Sequence, residues 1–326
     1  MPLRRESLPR RRFLMATAAA AASSSFACAS VLPVTRPDPA IYDACRARRS
    51  LSILTWNIFM MPEWVNESPR NQPRAAAIAA TLLEQDFDIV CLQKVFDSKA
   101  RAILDRALAA RYPHRYGPAN DGCLLLNSGV WVLSRYPLTD YQEIEFAKCS
   151  SWECFSRKGA LLLSGTCGST PFRLIATHLQ GEDSSAFTLK NQAIRAEQML
   201  QIKSRLIAPH LEARVPFIVC GDFGTPRFEG GRGRESQSYR DMLSTLGVQN
   251  GPEPRITLDE IDNELAKSPS ARQNEVDYIL IRQNGFELRA DRARCIFKRD
   301  GWDPLQHHTD LSYHYAVSAK LTFGAA

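Results

Sequence analysis

The chain has 326 residues, of which 44% are hydrophobic, so it is long enough to bury a core in one large domain or two small ones. Its formal net charge of +6 comes from the first 50 residues, which hold nine arginines and three acidic residues. The remaining residues carry 32 basic and 32 acidic side chains. A neutral body lacks the basic face of an electrostatic nucleic-acid binder, so no nucleic-acid partner is expected.

The first 29 residues have the pattern of an export signal. Three arginines at 10–12 precede an apolar, alanine-rich stretch at 15–22, and small residues follow. This order predicts a signal peptide over 1–29, and the arginines before Phe-Leu favour the twin-arginine route, hence a periplasmic or secreted protein. Lipid anchoring at Cys28 is the alternative, although 25–27 match a lipoprotein signal poorly. Residues 30–50, rich in proline and charge, predict a linker.

Strand and helix patterns alternate through the rest of the chain, and we assign 51–326 to one domain. Apolar runs bounded by turn residues predict strands at 51–59, 88–93, 128–134, 160–166, 172–179, 217–223 and 276–281. Helical periodicity predicts helices at 74–84, 99–110, 189–206 and 236–246. Strands interleaved with helices indicate the α/β class.

Polar side chains stand at the ends of several predicted strands. They are Asn57, His178, Asp222 and Asp277, and His314 follows near the end of the chain. Strand ends are rigid platforms, so such groups can converge on one pocket. Two histidines, two aspartates and an asparagine can polarise a phosphate, activate water and stabilise a leaving oxygen. Taken singly, each also has a structural explanation as a turn or capping residue.

The nine cysteines show no paired C-x-x-C spacing, which argues against a zinc site. Cys91 and Cys220 lie within apolar runs and are expected to be buried thiols. Cys149 and Cys154 flank a short polar segment. In an oxidising compartment they could close a small disulfide, and the sequence leaves that open.

The chain resembles the endonuclease/exonuclease/phosphatase superfamily and, within it, the bacterial sphingomyelinase C group, over most of 51–321. The segments that carry the resemblance are LTWNIF at 54–59, VFD at 95–97, GVWVLS at 129–134, SRKG at 156–159 and THLQGEDS at 177–184, the last being the most specific. The resemblance implies a DNase I-like four-layer sandwich, with two mixed β-sheets packed face to face and helices outside. It also implies Mg²⁺-dependent attack of water on a phosphodiester such as a phospholipid.

The resemblance also implies a role for each polar residue. His314 would be the general base and Asp277 would orient it. His178 would steady or protonate the leaving oxygen. Asp222 would bind the metal or the water on the phosphate side, and Asn57 would support the metal or phosphate site.

Three positions depart from the family pattern: Lys94 stands where a carboxylate holds the metal, Gly224 replaces an asparagine, and Tyr313 replaces an aspartate. An ammonium has no lone pair for Mg²⁺, so the sequence predicts impaired metal binding. A competing interpretation is a shifted register in which Asp97 or Asp310 restores the site.

Three functions follow from these observations. The first is an exported phosphodiester hydrolase acting on a phospholipid head group, weakened by the lost metal-site residues. The second is a catalytically inactive relative that binds a phosphorylated ligand or a partner through the same cleft. A nuclease is the weakest, because the body of the chain is neutral. Peripheral membrane contact is also considered. In the segment before His314 only Trp302 looks available for insertion, and one exposed aromatic is more often incidental packing than a lipid anchor.

Overall fold

In the computed structural model the described residues are 49–62, 70–118, 126–182, 188–231 and 233–324. The predicted signal peptide, Cys28 and nearly all of the predicted linker lie outside these ranges. The end of the 177–184 segment lies outside them as well. Among the described residues, no helix is long and apolar enough to cross a membrane.

The first sheet has six strands and contains both ends of the domain. Its strands are β1 (Ser50–Met60), β2 (Ile89–Val95), β3 (His114–Tyr116), β4 (Trp131–Ser134), β12 (Leu288–Cys295) and β13 (Ala316–Phe323). The spatial order is β12-β13-β1-β2-β4-β3. β1 runs parallel to β2 and antiparallel to β13, so the sheet is mixed.

The second sheet has five strands. They are β5 (Thr139–Glu145), β6 (Gly159–Cys167), β7 (Thr170–His178), β8 (Phe217–Asp222) and β11 (Asp277–Arg282), in the order β11-β8-β7-β6-β5. β7 and β8 are parallel and the other neighbours are antiparallel. β9 (Leu258–Asp259) and β10 (Gln273–Asn274) form a separate two-stranded ribbon.

Within the described ranges, four α-helices cover the sheets: α1 (Asn71–Glu84), α2 (Ser98–Leu108), α3 (Leu189–Ile202) and α4 (Gln237–Leu246). Short helical turns cover Ser151–Phe155, Lys203–Ile207, Ala208–His210 and Glu229–Gly231. The side chains of Asp97, Thr188 and Ser236 accept backbone hydrogen bonds at the starts of α2, α3 and α4. These caps explain where the helices begin, because the first N–H groups of a helix have no partner within it.

The layers follow from the alternation of side chains along each strand. Ile53 and Leu161 belong to the apolar cluster between the two sheets. Their neighbours Leu54 and Leu162 face the opposite way, toward α1 and α2 in one case and α3 and α4 in the other. The result is the predicted four-layer sandwich with helices outside, so the predicted fold class is confirmed.

Two of the strands missing from the sequence prediction lie at sheet edges. β5 reads TDYQEIE and β12 reads LRADRARC, with most side chains exposed or half-buried. Edge strands carry charge that discourages pairing with other chains, so they lack the apolar pattern of a central strand. Cys91 and Cys220 are buried as predicted, on β2 and β8.

Candidate active site

The ladder of the second sheet brings three polar side chains to one edge. In the register of β8, Asp222 lies opposite His178 of β7 on one side and Asp277 of β11 on the other. Paired positions on neighbouring strands project their side chains on the same face of a sheet. His178, Asp222 and Asp277 therefore meet at the ends of adjacent strands.

The first sheet contributes the other two predicted site residues. The side-chain amide of Asn57 in β1 donates a 2.7 Å hydrogen bond to Oδ2 of Asp222. His314, just before β13, places Nδ1 2.7 Å from Oδ2 of Asp277. Ligand atoms of Asp222, Asp277 and His314 lie within 4.8 Å of one another. The structure thus gathers all five residues where strand ends of the two sheets meet, and we call this place the cleft.

The pairing with Asp277 sets the state of His314. Since the carboxylate accepts at Nδ1, the imidazole donates there and leaves Nε2 for another partner. Burial by itself lowers the pKa of His314, but the charges of Asp277 and Asp222 outweigh it and hold the pKa above the ordinary value of 6.5. His314 is therefore an oriented base with increased proton affinity.

The second histidine is in the opposite situation. His178 is 1% exposed, and burial together with the positive charges of Lys158 and Lys94 holds its pKa well below 6.5. Its Nε2 lies 3.0 Å from Nζ of Lys158 and 3.6 Å from Oδ2 of Asp222. A neutral His178 accepts a hydrogen bond from Lys158 at this nitrogen, so the exchangeable proton of the pair lies on the lysine.

Lys158 is a site residue to which the sequence analysis assigned no role. It pairs with the buried carboxylate of Glu153 at 2.8 Å and donates to the carbonyl of Leu179 at 2.8 Å. Glu153 in turn accepts a 2.6 Å hydrogen bond from the backbone N–H of Gly181. The available signal was the SRKG segment at 156–159, which entered the resemblance without a function for its lysine.

Glu153 lies on a turn closed by a disulfide. Cys149, just before the helical turn Ser151–Phe155, is bonded to Cys154 within that turn, with Cα atoms 5.2 Å apart. The option that the sequence left open is thereby resolved in favour of the disulfide. We call residues 149–155 the disulfide turn. It presents Glu153 to the cleft and the aromatic rings of Trp152 and Phe155 to the outside, at 41% and 60% exposure.

Lys94 lies where the pairing of β1 and β2 becomes irregular. The register shifts between Asn57 and Met60, and both Phe59 and Lys94 have positive φ, 49° and 54°. Such bulges re-aim side chains next to functional sites. The ammonium of Lys94 lies 4.3 Å from the centre of the Phe59 ring and 6.0 Å from that of Trp152.

The positive charge of Lys94 reaches the cleft without a direct ion pair. Among the described residues it has no ion-pair partner. Burial would raise the pKa of Asp222, but the charges of His314, Lys94 and Lys158 together bring it below the ordinary value of 3.8. The cleft therefore holds two lysine ammoniums close to its ionised aspartate.

Gly224 contributes its backbone to the site. Its N–H donates a 2.9 Å hydrogen bond to Oδ1 of Asp222. With φ at +54°, a Cβ at this position would lie 2.8 Å from the carbonyl oxygen of Gln180. A larger residue is strained here, both by the left-handed backbone and by this contact.

Tyr313 packs on the same ring as Lys94. Its ring centre lies 4.2 Å from that of Phe59. Burial raises the pKa of the Tyr313 phenol, which is opposed by the charge of Arg74, so the group is neutral at physiological pH. Tyr313 supplies aromatic surface at a position where the resemblance implies an acid.

Neither acid of the shifted-register interpretation reaches the cleft, so that interpretation is wrong. Asp97 caps α2, accepting from the N–H of Ala100 at 2.7 Å. Asp310 pairs with Lys298 at 3.2 Å and accepts from the N–H of Glu264 at 2.9 Å. Asp97 is therefore used as a helix cap, and Asp310 is used by a surface lysine and a backbone N–H group.

The expectation that Trp302 is available for membrane insertion is also wrong. Its side chain is 5% exposed and packs in the cluster beneath α1 and α2. Its ring lies 6.4 Å from that of His308, centre to centre. Trp152, in the disulfide turn, is exposed, and its ring centre lies 6.0 Å from Nζ of Lys94.

Comparisons with known proteins agree with this architecture. Sphingomyelinase C 2 of Leptospira interrogans is 26% identical over 302 residues, which cover 82% of this chain and 45% of the relative, so the chain spans about half of that protein. The crystal structure of sphingomyelinase C from Streptomyces griseocarneus superposes with a TM-score of 0.68 at 26% identity, covering 83% of this chain and 99% of that one.

A mutant beta toxin from Staphylococcus aureus, solved with bound magnesium ions, gives a TM-score of 0.72 at 20% identity and covers 83% of this chain and 99% of that one. At this identity the likeness shows the fold alone. The model of the Endonuclease/Exonuclease/phosphatase family matches residues 54–293, which is most of the domain. The chain therefore belongs to the Endonuclease/Exonuclease/phosphatase family and is similar to its bacterial sphingomyelinase C members.

Proposed function

We propose that the chain is a hydrolase that cleaves the phosphodiester of a phospholipid head group. The observation that carries this proposal is the 2.7 Å hydrogen bond between His314 and Asp277, which leaves Nε2 of an oriented imidazole free to act as a base. The likeness to sphingomyelinases C supports the choice of a phospholipid over a nucleic acid, and so does the neutral charge of the body of the chain.

In this proposal the proton follows a short route. A water molecule attacks phosphorus and gives its proton to Nε2 of His314, while Asp277 stabilises the imidazolium that forms. The bond from phosphorus to the lipid oxygen breaks. That oxygen displaces Nε2 of His178 as acceptor of the Lys158 proton and takes that proton, and the products are a phosphomonoester and an alcohol.

Mg²⁺ is the cofactor that the family implies, and the donors of this cleft fit it poorly. Oδ1 of Asn57 accepts from the N–H of Phe59 at 3.1 Å, and the NH₂ group rather than the oxygen of this side chain faces Asp222. Asp277 gives Oδ2 to His314 and keeps only Oδ1 for a cation. Lys94 adds a positive charge where Mg²⁺ would need an oxygen ligand. We infer that hydrolysis here is weak, since no metal lowers the pKa of the attacking water.

The same lysine favours a second candidate function, a catalytically inactive protein that binds a phosphorylated ligand or a partner. An ammonium near Asp222 can hold a phosphate without activating water. In this alternative the preserved pair of His314 and Asp277 would be a remnant of ancestral chemistry. The nuclease alternative has no observation of its own to support it.

We also propose that the disulfide turn contacts a phospholipid bilayer during catalysis. Trp152 and Phe155 are exposed on its outer side, whereas Glu153 reaches Lys158 in the cleft. Aromatic side chains that are exposed to solvent suit the interface between lipid and water, because their rings are apolar. The turn would therefore place the cleft at the membrane surface, where a phospholipid head group is found.

Export by the twin-arginine route is the matching proposal for location. The disulfide between Cys149 and Cys154 supports it, because such bonds persist in oxidising compartments. Cell fractionation of the natural chain and of a variant with Arg10→Lys and Arg11→Lys tests it. Retention of the double variant in the cytoplasm is expected, and equal export of both proteins would count against this route.

A lipid phosphodiesterase assay distinguishes the two functions. Phosphocholine release from sphingomyelin vesicles should be slow but measurable for the purified chain and lost in His314→Ala. His210→Ala is the matched control, because His210 is half-buried in the turn Ala208–His210, outside the cleft, with Nδ1 2.9 Å from the carbonyl oxygen of Leu206. Release that survives His314→Ala would refute the assigned base, and no release from any phospholipid would leave the binding function.

A further inference from the structure

We propose that the cleft is a metal-independent phosphate site in which the ammonium of Lys94, held between Phe59 and Trp152, does the electrostatic work of a divalent cation. The inference rests on the proposed function only for its choice of phosphate as the ligand. It goes beyond that function because it names the group that binds the anion and predicts that a chelator has no effect.

The first support is the way the ammonium is held. Lys94 is 9% exposed and its Nζ lies over the Phe59 ring at 4.3 Å, with the Trp152 ring at 6.0 Å. The face of an aromatic ring attracts a cation, so these rings keep the charge near the cleft without consuming it in an ion pair. A phosphate oxygen could thus accept a hydrogen bond from Nζ, which has no carboxylate partner among the described residues.

The second support is the balance of charge. Where a carboxylate holds Mg²⁺, two positive charges less one negative leave a single positive charge, and that is also the charge of one ammonium. Replacing the metal and its ligand by Lys94 therefore preserves the net charge around Asp222 and Asp277. An anion entering the cleft meets the same total field, although from a cation that is covalently part of the chain.

The third support is the set of neighbours. Nζ of Lys158 lies 3.0 Å from Nε2 of His178, and the charges of both lysines act on His178 and on Asp222. Two ammoniums weaken the attraction of Asp222 and Asp277 for a divalent cation, and they add an attraction for a phosphate monoanion. The geometry therefore favours an anion over a metal as the occupant of the cleft.

Isothermal titration of the full-length chain with inorganic phosphate tests this inference directly. Binding in excess EDTA should equal binding in MgCl₂. Lys94→Met should weaken it about tenfold or more, the loss expected for one charge-assisted hydrogen bond. Lys94→Arg should stay within a few-fold of the natural chain. Lys320→Met is the matched control, because Lys320 is exposed and pairs with Ser52 at the other end of β1 from Asn57.

The reverse substitution gives a second measurement. Lys94→Glu should lose phosphate binding in EDTA and regain it with Mg²⁺, and titration with MgCl₂ alone should detect binding to this variant but not to the natural chain. Phosphate binding that requires Mg²⁺ in the natural chain would overturn the inference. Unchanged affinity in Lys94→Met would also overturn it, as long as both variants keep the natural circular dichroism spectrum.

These outcomes separate the phosphate site from the proposed hydrolase. Phosphate binding in EDTA without lipid turnover would refute the hydrolase and leave the anion site intact. Lipid turnover that is abolished by EDTA would refute the metal-independent site and leave the hydrolase intact.

Discussion

The ring of Tyr313 packs against the ring of Phe59 with their centres 4.2 Å apart, and the ammonium of Lys94 lies over the same Phe59 ring at 4.3 Å. Two of the three departures from the family pattern are therefore linked through one aromatic ring. An acid at position 313 would lose the ring contact with Phe59, and a carboxylate at position 94 would lose the cation–π contact with the same ring. Placing the family residue at only one of these two positions therefore does not restore the site that the family pattern implies.

The shared ring makes Lys94 and Tyr313 energetically dependent on Phe59. Phe59→Leu should lower the free energy of unfolding by about 1–2 kcal/mol through lost stacking and cation–π attraction. In a double-mutant cycle with Lys94→Met, chemical denaturation should give a coupling energy of about 0.5–1 kcal/mol. Additive effects of the two substitutions would show that the ring does not hold the ammonium.

The raised pKa of His314 predicts the acid limb of the activity profile. Below this pKa the imidazole is protonated and cannot take a proton from water, so kcat/KM should fall as pH drops through a midpoint above 6.5. By the same sign, protonated His314 stabilises the folded state at low pH, and that stability is lost as pH rises through the folded-state value. NMR titration of the imidazole provides an independent measurement, and Asp277→Asn should move its midpoint downward. A midpoint at or below 6.5 in the natural chain would contradict the prediction.

Gly224 should resist replacement for a steric as well as a conformational reason. Gly224→Ala should lower the free energy of unfolding by about 1–3 kcal/mol. Gly285→Ala is the matched control, since Gly285 has φ of +80° and no atom within 4 Å of an added Cβ, whereas a Cβ on Gly224 meets the Gln180 carbonyl at 2.8 Å. Equal losses in thermal or denaturant unfolding would mean that the contact with Gln180 carries no cost.

The buried pair of Lys158 and Glu153 should matter more to stability than an exposed pair of similar length. Glu153→Ala leaves a buried ammonium without its carboxylate and should cost about 3–5 kcal/mol of unfolding free energy. Glu197→Ala removes the exposed partner of Lys148 and should cost about 0–1 kcal/mol. Urea denaturation measures both. A small effect of Glu153→Ala would indicate that Lys158 needs no counter-charge.

The disulfide turn should control attachment to lipid. Trp152→Ala combined with Phe155→Ala should reduce co-sedimentation with sphingomyelin vesicles several-fold, because both rings are exposed on the outer side of the turn. Leu305→Ala is the control, a 74% exposed apolar side chain elsewhere on the surface. Equal sedimentation of all three proteins would exclude the turn as the bilayer contact.

The sequence predicted what depends on strand ends and apolar runs. Asp222 and Asp277 each border a strong apolar strand, so their convergence follows from sheet geometry once the fold class is known. Lys158 could not be found this way, because a single lysine before a strand has no periodic signal and its partner Glu153 lies in a polar turn. The prediction for Trp302 was wrong because the charged residues around it suggest an exposed loop, whereas this segment folds back over the core.

Asp97 shows a second limit of prediction from sequence, because a residue expected in the site is used elsewhere. Its proximity to Lys94 in the chain made it a candidate site acid, but a carboxylate followed three residues later by a free N–H is better used as a helix cap. Local backbone needs compete with function for such residues. The competition is settled by the position of α2, which depends on packing that no single segment encodes.

The register that aligns His178, Asp222 and Asp277 across three strands has a further consequence for how this cleft can change over generations. A single inserted residue in β8 would move the Asp222 side chain to the other face of the sheet, because side chains alternate between the two faces. Asp222 would then no longer lie beside His178 and Asp277. Lys94 and Gly224, by contrast, stand where the backbone leaves regular pairing. Lineages of this fold can therefore exchange charge at such irregular positions while the ladder keeps the remaining groups aligned. The charges in the cleft can therefore change while His178, Asp222 and Asp277 keep their relative positions.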